Sequence, residues 1–394
     1  MTATTPPWRT LAHRLADELA TEGVLRSPQW RAAIETVPRH VFVPRFHTQQ
    51  RDGRWSETGA ESPDWLDQVY RNQPLITALA TTPRGSQVTV SSSTKPGLMI
   101  RMLEALDLED SHRVLEIGTG TGYNAGLLTR RLGDDQVCSV DIGADLVATA
   151  RTRLHELGLR PTLVAAHGGA GLPGHAPFDR IIATCSVPTI PWAWAEQVRE
   201  GGLILADLKR SVHAGNLVLL TRHADRLEGR FLPRWAGFMA IRDTDCAPPD
   251  RHISFTPADG AHSTTSLSPH PWESLIPWLL AQSRMPSQLT FGYRGLTDTG
   301  AHQWAVFTAS EGSWCAVAMN ATNDRRDVRQ HGATRIWDEY EKSRSQWQNL
   351  GEPGWDRFGV TVTDDGTHRL WLDEPDGTHT WVLPRAAGQR ATWG

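Results

Sequence analysis

Leu11, Leu15 and Leu19 recur at every fourth position and form one apolar stripe of a helix. A second helix is expected from Ser27-Pro28, where serine can cap free N–H groups and proline fits the first helical position. It should end near Val37-Pro38, because proline disfavours helix in the residue before it. The N-terminal part thus reads as a small helical cap. From Met99 the pattern changes to short, continuous apolar runs separated by helix-length segments. It predicts a helix over 99–106, a strand over 114–117, a helix from Tyr123, a strand over 137–140 and a helix around 146–157. Strands at 163–166, 180–183 and 203–206 follow. Apolar strands that do not alternate belong to a parallel sheet covered on both faces, so the fold expected is doubly wound α/β. Around residues 243–250 the chain turns polar and proline-containing, and beyond it the period becomes that of hairpins. Strands at 358–362, 369–372 and 380–383 are separated by Asp365-Gly366 and Asp376-Gly377, pairs that favour the positive φ of tight turns. A helix over 335–347 interrupts them. The expected division is therefore 1–242 and an α+β module, 243–394.

A chain of 394 residues with 39% hydrophobic and 21% charged positions can bury two cores, and nothing in it has the bias of a disordered segment. The net charge of −4 is uneven: residues 243–394 carry 13 Lys+Arg against 19 Asp+Glu, which leaves 27 against 25 before them. Neither part has the clustered cations that a nucleic-acid partner requires. Cys138, Cys185, Cys246 and Cys315 are scattered without a C-x-x-C pair, which points away from a disulfide framework or zinc ribbon and toward a reducing cytoplasm. Charges run throughout the first residues and no long apolar run occurs, so neither secretion nor membrane insertion is expected.

Candidate chemistry begins at VLEIGTGTGYNAGLL, a buried strand that leads into a glycine-rich turn and a helix. Open α/β sheets bind ligands at this point, where glycine lets a ligand approach the backbone and the helix start offers free N–H groups. A dinucleotide site calls for G-x-G-x-x-G, yet Gly118, Gly120 and Gly122 stand as G-x-G-x-G and Tyr123 occupies the last glycine's place. Asp141 ends the next strand, where an acid can accept both ribose hydroxyls of an adenosine. That acid suits NAD equally, so the glycine spacing favours S-adenosylmethionine over NAD and over a purely structural turn.

With the loop in hand, the chain resembles the protein-L-isoaspartate O-methyltransferase family over most of residues 10–242. The matching pieces, in order, are VPRHVFVP at 37–44, SSSTKPGLM before the first core helix, EIGTGTGY, and HAPFDRIIAT followed by Gly201-Gly202. The resemblance implies a class I, Rossmann-like S-adenosylmethionine-dependent methyltransferase. Its implied cofactor residues are Glu116, Gly118, Thr119, Gly120, Thr121, Gly122, Asp141, Ile142, His167, Gly168 and Gly169. Where the family usually reads Thr-Ile-Ser-Gln-Pro, this chain places Thr94 at the active-site serine and Lys95 at the glutamine. Thr94 becomes the candidate catalytic residue, with Ser92, Ser93 and Lys95 toward the substrate; the alternative is a plain polar loop. Where the family has His-Gly-Asp-Gly, with the aspartate near adenine, this chain reads His167-Gly168-Gly169-Ala170. His167 is then either a ligand contact or a structural loop residue.

The C-terminal module resembles the extension of isoaspartyl-methyltransferase-like enzymes from lanthipeptide and graspetide clusters. That likeness implies a peptide partner, a cyclised ribosomal precursor, whose aspartate is esterified and passes through succinimide to isoaspartate. General repair of isoaspartyl proteins and a non-catalytic peptide-binding protein are the alternatives. A carboxylate is ionised at neutral pH and needs no base to attack a sulfonium methyl, so Thr94 is expected to orient it. Ten of the 17 tryptophans lie in the module; Trp304, Trp314, Trp371 and Trp381 read as core before they read as a peptide clamp. His252, His262 and His270 lack metal-ligand spacing, no metal is expected, and no feature indicates an oligomeric state.

Overall fold

The computed structural model describes residues 7–50, 52–83, 85–244, 260–286, 289–296 and 300–385. Cys246, His252 and most of the polar stretch at 243–250 lie outside the described residues. The chain divides into two compact units. The first comprises the described residues up to Cys185, then Ala193–Leu205, then Ile241 to 244; the second comprises Ser186–Trp192, Ala206–Ala240 and the described residues from 260 onward.

In the first unit, α1 (Pro7–Thr21) buries Leu15 and Leu19, and α2 (Pro28–Thr36) starts on its proline. Ser27 does not cap α2. Its hydroxyl donates instead to Glu104 Oε2 at 2.6 Å, while the N–H groups of Arg26 and Ser27 donate to Oε1. After α3 (Arg39–Phe42) comes an element that hydrophobic patterning misses. Strands β1 (Arg45–Gln49), β2 (Trp55–Gly59), β3 (Leu75–Thr81) and β4 (Gln87–Ser93), with α4 (Trp65–Val69) between β2 and β3, form an antiparallel sheet in the order β2-β1-β3-β4. The N-terminal part is therefore not only helical. Strands β1 and β2 are polar and largely exposed, without the apolar alternation by which strands are read, whereas β3 (LITALAT) is mostly apolar.

The core helix α5 (Pro96–Ala105) leads into the doubly wound part: β5 (Val114–Ile117), α6 (Tyr123–Leu132), β6 (Val137–Asp141), α7 (Ala144–Glu156) and β7 (Thr162–Ala165). Then follow β8 (Phe178–Val187), α8 (Trp192–Gln197) and β9 (Val198–Lys209). The order is β7-β6-β5-β8, parallel throughout, as the continuous apolar runs imply. Every residue of β5 is buried, which leaves the sheet's carboxyl ends as the place for polar chemistry.

In the second unit, β10 (Gly215–Arg222) and β11 (Arg226–Phe231) pair antiparallel. A five-stranded antiparallel sheet follows, built from β12 (Ala261–Thr265), β13 (Thr290–Leu296), β14 (His302–Thr308), β15 (Trp314–Ala318) and β16 (Arg326–His331). Helices α9 (Leu275–Ala281) and α10 (Ile336–Asn349) bury Trp278, Trp337 and Tyr340 in one core with Phe307, Val317 and Val328. Last come β17 (Phe358–Thr363), β18 (His368–Leu372) and β19 (Thr380–Leu383). Strand β11 pairs with β17, so backbone hydrogen bonds stitch residues 206–240 to the C-terminal strands. The compact units consequently do not divide at 242/243. Of the two Asp-Gly turns, Gly366 has φ +81°, but the 373–379 connection takes its positive φ at Asp373, not at Asp376-Gly377. Trp314, Trp371 and Trp381 are buried, and Trp304 packs half-buried against Val306 and Ala316. No helix among the described residues is long and apolar enough to cross a membrane, and no group of three or more His, Cys, Asp or Glu among them could hold a metal.

Candidate active site

The turn between β5 and α6 needs its glycines. Gly118, Gly120 and Gly122 have φ of +98°, +51° and +90°, a region that costs other residues about 1–2 kcal/mol each. Space is short as well: a Cβ on Gly118 would stand 2.7 Å from Thr184 Oγ1, and one on Gly122 would stand 2.9 Å from the Cβ of Ala150. Thr184, on β8, donates to the carbonyls of Ile117 and Gly118 and so holds the first glycine from the neighbouring strand.

Beneath the turn lies a buried polar network. Thr119 Oγ1 donates to Ser139 Oγ at 2.7 Å, Ser139 donates to Glu116 Oε2 at 2.5 Å, and Asn124 Nδ2 donates to Glu116 Oε1 at 2.7 Å. Burial pushes the Glu116 carboxyl up to about 7, against the opposing pull of these two donors. Both carboxylate oxygens are engaged and the residue has no exposed surface, so Glu116 supports the loop from below. Thr121 is also nearly buried, with its hydroxyl toward the N–H of Tyr123.

Asp141 closes β6 at the loop. Its Oδ2 accepts the N–H of Gly120 at 2.9 Å and its Oδ1 accepts that of Gly143 at 3.0 Å. A carboxylate has about four lone-pair sites, so capacity remains for two ribose hydroxyls. Ile142 beside it is half-buried. After β7, His167 Nδ1 accepts the N–H of Gly169 at 3.0 Å, which caps the short helical turn Gly168–Ala170. The carbonyl of Gly168 accepts from Trp194 Nε1 at 2.9 Å, and a Cβ on Gly168 would stand 2.6 Å from Ile117 Cγ2. The turn between β5 and α6 and the turn after β7 thus have no room for a side chain at Gly118, Gly122 or Gly168, and Asp141 stands beside the first turn with acceptor capacity to spare. They fit S-adenosylmethionine.

The other wall is the end of β4. The carbonyl of Ser92 lies 3.9 Å, and Ser91 Oγ 4.0 Å, from where a Cβ on Gly120 would be. Hence the end of the serine-rich stretch lies against the glycine turn. Within it, Ser92 and Thr94 are half-buried, Ser93 is buried and Lys95 is exposed at the start of α5. Ser93 is turned inward, where its hydroxyl accepts from Arg39 Nη2 at 3.3 Å.

Arg39 is the residue that spacing alone could not single out. Fully buried, it donates to the carbonyls of Val69, Arg71, Gln73 and Thr94 as well as to Ser93. Burial holds its pKa down to about 10. Its only signal in sequence was membership of VPRHVFVP.

The family model for protein-L-isoaspartate(D-aspartate) O-methyltransferase matches residues 10–230. The protein-L-isoaspartate O-methyltransferase of Pyrobaculum neutrophilum is 30% identical over 238 residues, covering 59% of this chain and 100% of its own. That of Azorhizobium caulinodans is 38% identical over 220 residues, covering 53% and 86%. A solved structure named protein-L-isoaspartate O-methyltransferase shares the fold at a TM-score of 0.52 and 19% identity, over 92% of this chain and 100% of that chain.

Proposed function

Because the chain belongs to the protein-L-isoaspartate(D-aspartate) O-methyltransferase family and is an S-adenosylmethionine-dependent carboxyl O-methyltransferase, we propose that Thr94 and Ser92 orient an aspartyl-derived carboxylate of a peptide over the glycine turn. The observation that carries this reading is the 3.9 Å approach of the Ser92 carbonyl to the Cβ position of Gly120. It supports the reading because the end of β4 lies beside the loop that would hold the methyl donor.

Bound there, S-adenosylmethionine would supply an electrophilic sulfonium methyl. A carboxylate oriented by Thr94 and Ser92 would take that methyl on oxygen, with the S–CH3 electron pair staying on the sulfur of S-adenosylhomocysteine. An acceptor ionised at neutral pH needs no proton removed, so the chain's task is alignment, worth several kcal/mol when reacting atoms are held about 3 Å apart. Asp141 and Ile142 would hold the adenosine, the turn at Gly118, Thr119, Gly120, Thr121 and Gly122 the amino-acid end, and Arg39 the main chain that carries Ser93 and Thr94.

For the acceptor we assign an aspartate of a modified, cyclised ribosomal peptide, recognised by residues 243–394. Its supports are the departures at Thr94 and Gly169 and the C-terminal residues beyond the family match. Repair of isoaspartyl proteins competes on equal terms, since a solved structure bearing the repair family's name extends over these residues as well. Incubation with labelled S-adenosylmethionine and either a linear isoaspartyl peptide or a cyclised precursor separates them by mass spectrometry. Label on the precursor alone supports the first reading; equal labelling of the linear peptide establishes repair. Label on neither would remove the carboxyl-transfer reading.

A further inference from the structure

Three consecutive residues, Ile241, Arg242 and Asp243, each meet a different part of the adenosine side of the site. Ile241 Cδ1 stands 3.3 Å from where a Cβ on Gly168 would be. Arg242 Nη2 is 3.9 Å from Asp141 Oδ1, and Asp243 Oδ1 is 3.6 Å from His167 Nε2. The segment therefore crosses the carboxyl ends of β6 and β7, where this fold holds an adenosine. Because His167 Nδ1 accepts the N–H of Gly169, Nε2 is the ring nitrogen that faces Asp243, 3.6 Å away and short of a direct hydrogen bond. The Asp243 carboxylate thus faces the ring that caps Gly169, the position at which the resemblance puts the family's adenine-side aspartate. It arrives from 74 positions later in the chain.

We propose that Asp243 supplies the carboxylate that Gly169 lacks and accepts a hydrogen bond from the exocyclic amine of adenine, with Ile241 as an apolar wall and Arg242 steadying Asp141. This rests on S-adenosylmethionine occupying the glycine turn. The Asp243 side chain is 88% exposed, so its carboxylate reaches the mouth of the site at little desolvation cost and an incoming base can cover it. An amine at the purine 6-position donates to a carboxylate, whereas a carbonyl there is repelled by it. Asp243 is consequently a determinant of base identity as well as of affinity.

The test is calorimetric binding of S-adenosylhomocysteine and of its deaminated analogue, S-inosylhomocysteine, to the full chain, to Asp243→Ala and to the double variant Gly169→Asp/Asp243→Ala. A charge-assisted hydrogen bond corresponds to about a tenfold or larger loss of S-adenosylhomocysteine affinity in Asp243→Ala, together with loss of preference over the analogue. The double variant should recover both. Wild-type affinity and preference in Asp243→Ala would overturn the proposal. So would weakened binding with preference retained, or failure of a double variant with unchanged melting temperature to recover. If the wild-type chain binds neither compound, the cofactor assignment itself fails, and this proposal with it.

Discussion

Nη2 of Arg39 lies 3.2 Å from the carbonyl oxygen of Thr94, within a guanidinium that has no exposed surface. The two Nη groups of the planar fork donate here to four carbonyls and one hydroxyl, which binds the 69–73 turn and the 93–94 corner to one point. Lysine keeps the charge but not the fork, so Arg39→Lys leaves buried carbonyls unpaired. It should cost about 2–4 kcal/mol of stability by urea denaturation. Because Thr94 is displaced, kcat should fall more than the affinity for S-adenosylhomocysteine. A folded Arg39→Lys protein with wild-type kcat would show that the corner does not depend on this residue.

Gly122 and Gly133 share a positive φ, +90° and +96°, but only Gly122 is crowded, by Ala150. Gly133→Ala should lose roughly 1 kcal/mol from backbone strain and retain cofactor binding. Gly122→Ala adds a steric clash against α7, and should lower the melting temperature further than Gly133→Ala does and weaken S-adenosylhomocysteine binding at least tenfold. Equal behaviour of the two variants would mean that conformation alone, not close packing, explains the third glycine.

The raised pKa of Glu116 makes a signed prediction. Below pH 4.5 folded and unfolded chains both hold the proton; between 4.5 and about 7 only the folded chain keeps it, so stability is lost as pH rises through that window. A displacement of this size corresponds to roughly 3 kcal/mol. Glu116→Gln has no proton to lose, and urea midpoints measured from pH 4.5 to 7.5 should drift in its favour relative to wild type. A difference that stays constant with pH would contradict the buried carboxyl.

His368 predicts the opposite slope. Its Nε2 accepts the N–H of Ile190 at 2.8 Å and its Nδ1 donates to the carbonyl of Gly366 at 3.0 Å, so the ring is neutral and burial holds its pKa down to about 4. As pH falls from 6.5 toward 4 the unfolded chain gains a proton that the folded chain refuses, and roughly 3 kcal/mol is lost. His368→Gln should be less stable at pH 7 but should flatten this acid limb. An acid limb unchanged in the variant would assign it to other groups.

What could be read along the chain and what could not divide on distance. The strand, glycine turn and helix from Val114 to Leu132 were legible, because residues a few positions apart dictate them: apolar continuity, glycines at φ > 0 and a helix that starts after them. Asp141 and the serine-rich stretch were legible as motifs, and the family resemblance supplied their roles. The antiparallel sheet of 45–93 was not, since β1 and β2 are polar and carry no apolar period, nor was the inward turn of Ser93 or the burial of Glu116 beneath the loop. The division of units escaped too, because pairing of β11 with β17 joins residues more than 120 positions apart. The sequence by itself determined the fold class and the turn that would hold the methyl donor, both set by short-range backbone preference and side-chain period. Only the tertiary structure decided which distant groups meet that turn and the segments beside it, Thr184 at Gly118, Arg39 at the 93–94 corner, Trp194 and Ile241 at Gly168, because a hydrogen bond or a packing contact depends on separation in space and leaves no spacing in the chain.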